Sequence, residues 1–210
     1  MLRPVLFVAI FGGAVFAQHD AESMHINNMD LVLNKRTTVQ MHMRFRTRDA
    51  FREFFQFRFG PILQYRVNKN VVGIAGYYFL NQNYPNRQPA GWRDYNRYFG
   101  GAVFTLKRTR RTALEQRLLI ERFHLIPGGD FNRVRTRTSL AKTSGTWLPF
   151  SHFEVLRSND RWYFRSGLVM NRRMNRTTAM GLGYEVRLAP DRSWSHIVST
   201  TVLFQPQRKE

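Results

Sequence analysis

The sequence predicts an all-β protein: an antiparallel up-and-down transmembrane β-barrel of about ten strands, with twelve as the alternative count, behind an N-terminal signal peptide. Three observations lead there. Residues 37–67 alternate apolar and polar with a period of two, as side chains on a strand must. Strand-length segments then follow one another to residue 204, joined alternately by tight polar turns and longer loops. Charged residues recur on one parity of these segments, so one face is greasy and the other cationic.

Composition narrows the class. Of 210 residues 43% are hydrophobic, which suits a folded domain, and the formal net charge of +19 points to anionic partners. With no cysteine there is no disulfide, thiolate metal site or thiol nucleophile. Arg3 followed by the uncharged stretch 4–17 has the form of a signal segment, and Val15-Phe16-Ala17 offers a cleavage site that leaves Gln18 first. No later run is long enough to cross a membrane as a helix. The expected division is a signal peptide at 1–17, an N-terminal segment at 18–36, a barrel at 37–205 and a tail at 206–210. The segment 18–36 is a periplasmic stretch, a plug or an extra strand.

The strand candidates are justified in order. In 37–48, Val39, Met41, Met43 and Phe45 alternate with Gln40, His42, Arg44, Arg46 and Arg48. In 52–67, Phe55, Phe57, Phe59, Leu63 and Tyr65 oppose Gln56, Arg58, Gln64 and Arg66; Pro61 beside Gly60 predicts a bulge. Segments 71–82 and 94–107 flank a longer loop with two prolines. A helix competes at 114–125, but Glu115, Arg117 and Glu121 share one parity and favour a strand at 112–126. There Arg122, Leu119 and Phe123 break parity and predict a bulge or a strand end. In 131–142, Arg133, Arg135 and Arg137 alternate with Val134, Thr136 and Thr138. Segments 147–157, 161–172, 177–188 and 194–204 complete the set, placing His152, Glu154, Arg165, Glu185 and Arg187 on the charged face. Trp92, Trp147, Trp162 and Trp194, with several tyrosines (Tyr77, Tyr78, Tyr95, Tyr98 and Tyr163), sit near strand ends, as in an aromatic girdle.

An arginine facing lipid at the midplane costs about 2–4 kcal/mol, so the charged parity is assigned to the lumen. Candidate anion-binding residues are Arg44, Arg46, Arg58, Arg66, Arg117, Arg133, Arg135, Arg137, Arg165 and Arg187, with Glu115, Glu121, Glu154 and Glu185 as counter-charges. The lumen is then either a structural charge ladder or a place where small anions bind or pass. No catalytic residue, metal site or cofactor is expected. Ser151 points away from His152 and Glu154, so no local hydrolase triad forms, and the six histidines are scattered. Two alternatives have the same composition. One is a soluble exported lipocalin-like carrier. The other is a basic nucleic-acid-binding β protein, prompted by Lys107-Arg108-Thr109-Arg110-Arg111, which reads better as a solvated turn.

Several short motifs carry a family likeness: Arg44–Arg48 (RFRTR), Arg58–Arg66 (RFGPILQYR), Gly73–Tyr78, Leu114-Glu115-Gln116-Arg117, Asn132–Arg137 (NRVRTR), Phe153-Glu154-Val155 and Met180–Tyr184. With these the chain resembles the exported bacterial proteins grouped as domain of unknown function 2490. The resemblance implies an outer-membrane-type barrel in contact with outer-membrane lipid, and it implies no biochemistry. The tail after Phe204 departs from a terminal aromatic insertion signal.

Overall fold

The computed structural model describes residues 21–84, 90–126, 128–191 and 193–205; the signal segment 1–17 and the tail 206–210 lie outside them. The described residues form eleven strands and no helix: β1 Ala21–Val32, β2 Thr37–Arg48, β3 Glu53–Arg66, β4 Val71–Tyr84, β5 Gly91–Arg108, β6 Thr112–Ile126, β7 Asp130–Lys142, β8 Trp147–Ser158, β9 Arg161–Arg173, β10 Thr178–Leu188 and β11 Trp194–Phe204. Each strand pairs with its sequence neighbours, and β1 closes the sheet on β11, giving a barrel with no free edge.

Two features differ from the expectation. There are eleven strands, between the expected ten and twelve. The wall begins at Ala21 and not at 37, because residues 21–32 are the extra strand among the three readings of 18–36 and join it as β1. An odd count forces one like-directed pair, so β1 runs parallel to β11, from Ala21 opposite His196 to Met29 opposite Phe204. All other neighbours are antiparallel.

Four of the five turns at one rim share a local cause. Asn34 Oδ1 accepts from the backbone N–H of Arg36 and Thr37 at 2.8 and 2.9 Å, and Asn68 repeats this with Asn70 and Val71 at the same distances. Asn175 accepts from Thr177 and Thr178 at 2.8 Å each, while Thr109 takes the same role toward Arg111 and Thr112. A short polar side chain that satisfies the turn's own donors makes each reversal tight. The basic run at 107–111 lies at one of these turns.

The bulges fall elsewhere than expected. Pairing of β6 with β7 runs without a break through Leu119, Glu121 and Phe123, which share the inward face. The register shift is in β5, between Thr105 and Lys107. A second shift, at Arg46/Thr47 opposite β3, turns Phe55 inward, where Arg46 and Arg48 stack on its ring at 5.0 and 5.2 Å. Phe55 is thus buried inside, not on the outer face with Phe57. At Gly60-Pro61 the ladder to β2 is continuous, while the ladder to β4 skips both residues, so the missing proline donor removes no bond there. Gly60 is needed because a Cβ would stand 2.1 Å from the Tyr77 carbonyl oxygen.

Outward positions carry the apolar set: Phe59, Leu118, Ile120, Val134, Phe153, Leu168 and Leu182 are all exposed. Inside, the loop rim is packed by Tyr78, Leu80, Tyr95, Phe99, Leu119 and Phe123, with Phe131 stacked on Phe123 at 4.5 Å. Tyr78 and Tyr95 are therefore core residues and not part of a girdle.

Candidate functional site

Alternation on seven strands, β2, β3, β5, β6, β7, β9 and β10, aims guanidinium groups at a common interior, and four carboxylates organise them. Glu121 on β6 takes Arg97 from β5, Arg133 from β7, and Arg135 at 3.4 Å. Glu154 on β8 is approached by Arg137 at 2.8 Å, Arg117 at 3.4 Å, Arg135 at 3.6 Å and Arg165 at 3.8 Å. Glu185 on β10 meets His152 at 2.9 Å and Arg165 at 3.9 Å. Glu22 on β1 binds Arg46 from β2 and, across the parallel seam, Arg187 from β10 at 2.8 Å. Arg135 and Arg165 each touch two carboxylates, so the clusters at Glu121, Glu154 and Glu185 are one connected network.

Glu121 and Glu154 are 0% exposed although they face the lumen, and Ile197 on β11 is equally sealed. At this depth the interior is packed, as the geometry of a small barrel allows. Rings fill the space between the charges: Arg58 lies over Tyr78 at 4.5 Å, and Arg133 over Phe123 at 4.6 Å.

Two arginines stand apart from the carboxylates. Arg44 is 7% exposed and donates to Gln56; its Nε has no partner. Arg58 donates through Nε to His42 Nε2 at 3.1 Å, and His42 Nδ1 lies 2.7 Å from Asn28 Oδ1. Since Nε2 accepts, the imidazole is neutral and its Nδ1–H donates to Asn28. Among the described residues neither arginine has a carboxylate within ion-pair distance. Both line a cavity of about 470 Å³ that runs from this layer toward the tight-turn rim, past Gln64, Asn171 and Leu203.

The structure brings nine of the candidate arginines, Arg44, Arg46, Arg58, Arg117, Arg133, Arg135, Arg137, Arg165 and Arg187, into this interior with Glu121, Glu154 and Glu185. Arg66 ends β3 in an exposed position at the turn rim, and Glu115 pairs with exposed Arg108 at 3.2 Å. Glu22 and Arg97 belong to the network although parity did not place them, and His42 and Gln56, which parity put on the charged face, join it without having been among the candidate site residues. Ser151 lines an outer groove while His152 faces the lumen, so they do not meet.

No protein-family model matches this sequence, and no curated protein matches it. Among solved structures the chain is similar to an anion-selective porin from Comamonas acidovorans, at a TM-score of 0.41 and 11% identity, over 82% of this chain and 53% of the porin. The chain thus spans about half the length of that porin.

Proposed function

We propose that this protein is an outer-membrane β-barrel whose interior is an anion-binding chamber and not a wide aqueous pore. The observation that carries the proposal is the charge arrangement: ten lumenal guanidiniums (Arg44, Arg46, Arg58, Arg97, Arg117, Arg133, Arg135, Arg137, Arg165, Arg187) face four carboxylates (Glu22, Glu121, Glu154, Glu185), and two of the ten open unpaired onto the cavity. A buried cation without a counter-charge is costly, and a bound anion removes that cost.

Placement in a membrane is supported by the outer surface, where exposed Ile, Leu, Val and Phe side chains cover the middle of the wall. Trp92, Trp162 and Trp194 stand outward at the loop rim, and Trp147 and Tyr65 at the turn rim, two belts at two depths. The ten lumenal arginines are enclosed, so they are out of reach of a nucleic-acid chain. The sealed layer around Glu121 and Glu154 supports binding over bulk passage. The family resemblance to domain of unknown function 2490 fits this reading.

The test compares sulfate with chloride at equal ionic strength on detergent-extracted protein. Sulfate is expected to raise the unfolding temperature of the wild type by linkage, and not that of Arg44→Gln/Arg58→Gln. Bilayer recordings are expected to show small, anion-favouring conductance or closed barrels. Cation selectivity, or indifference of the unfolding temperature to sulfate, overturns the proposal.

A further inference from the structure

The cavity above Arg44 and Arg58 has two kinds of wall. Its floor is cationic in balance, with Arg44, Arg58, Arg135 and Arg165 against Glu185, the one lining carboxylate among the described residues, which is shared with His152 and Arg165. Its sides toward the turn rim are mixed: Ile26 on β1, Ile62 on β3, Ile74 on β4, Val103 on β5, Val169 on β9 and Leu203 on β11 line it, with the neutral polar Asn28, Gln40, Gln64, Asn171 and Thr201 between them. These are inward positions, which water-filled barrels keep polar, and here six of them carry aliphatic side chains. The turn rim around the mouth carries exposed Arg36, Lys69, Arg110, Arg111, Lys142 and Arg176. At the opposite end the packed Tyr78–Phe123 cluster stops the cavity.

A small inorganic anion uses the floor and leaves the six aliphatic side chains wet. A molecule with a charged head and a hydrocarbon chain uses both. We infer that the chamber takes a single-chain amphiphile with a carboxylate or phosphate head, which enters head first from the tight-turn rim until the head meets Arg44 and Arg58 and the chain lies against Ile26, Ile62 and Ile74. This deepens the anion-chamber reading and rests on it. The volume of about 470 Å³ is within the range of small-molecule sites. The unsatisfied Arg44 Nε supplies a buried donor beside the resting place of the head. The basic rim gathers anions at the mouth.

The isoleucines make the inference directly measurable. Ile26, Ile62 and Ile74 line the cavity, whereas Ile120 and Ile126 face outward into the micelle. In isoleucine-methyl-labelled protein held in a nonionic detergent, octanoate or octyl phosphate is expected to shift the cavity methyls saturably and leave Ile120 and Ile126 in place. Each added methylene from hexanoate to decanoate is expected to tighten binding by up to about fourfold. Arg44→Gln/Arg58→Gln is expected to weaken octanoate at least tenfold. Leu203→Gln, which keeps the floor intact, is expected to flatten the chain-length dependence. Equal binding of acetate or sulfate and octanoate overturns the amphiphile and leaves the anion chamber standing. Equal shifts of both methyl sets, or shifts by octyltrimethylammonium at the cavity methyls, reduce the effect to hydrophobic partitioning and overturn it too. If no anion moves the cavity methyls, both readings fall.

Discussion

Glu22 and Arg187, 165 residues apart in sequence, meet at 2.8 Å across the seam where the barrel closes. Arg46 shares the same carboxylate from the other side, so one acid ties β1 to both β2 and β10. Glu22→Gln leaves two guanidiniums facing a neutral group. Removing one partner of a buried ion pair costs about 3–5 kcal/mol. The variant is expected to lose its heat-modifiable, compact gel band at a lower temperature than the wild type. An unchanged transition temperature removes Glu22 as the clasp of the seam.

Glu121 and Glu154 are coupled through Arg135, which reaches both. The single variants Glu121→Gln and Glu154→Gln are each expected to destabilise, Glu154→Gln more, because four arginines converge on it. The double variant is expected to depart from additivity by about 0.5–3 kcal/mol in urea unfolding from lipid vesicles. Strict additivity excludes a shared network.

Gly60→Ala is expected to abolish refolding into detergent, since the added methyl would sit on the Tyr77 carbonyl. Gly73→Ala is the matched control, with its nearest contact at 3.8 Å, and it is expected to fold normally. Circular dichroism and the gel shift read both variants.

Ile120 is 69% exposed at the middle of β6, between Gly100 and Val134. If the wall faces lipid, Ile120→Arg costs about 2–4 kcal/mol and lowers assembly into vesicles. A water-soluble barrel carries the same substitution at no cost. Wild-type yield of Ile120→Arg in vesicles argues against a lipid-facing wall.

The outer and inner faces of most strands were legible because their apolar and charged residues keep separate parities, as Met43–Arg44–Phe45–Arg46 does on β2. β1 hid because its polarity is reversed: Met24 and Ile26 point in, while Ser23 and His25 point out and bond to Thr47 and Thr200 at 2.7 and 2.6 Å. Arg97 was missed for a related reason, since its outward neighbours Asp94 and Asn96 are polar and satisfied by Asn81 and Tyr77. Leu119 and Phe123 looked like parity errors because part of the interior is an aromatic core, which alternation alone cannot separate from an outer face. Phe55 depended on a bulge that leaves no mark in local composition.

The like-directed pairing of β1 with β11 also gives the molecule a polarity that an even-numbered barrel lacks. Ala21 stands at the loop rim and Phe204 at the turn rim, so an epitope placed ahead of the first strand and another behind the last would report from opposite sides of any bilayer the wall crosses. A non-permeant antibody or protease added to one compartment would then find a single terminus. Which one it finds would orient every loop, turn and the mouth of the chamber at once.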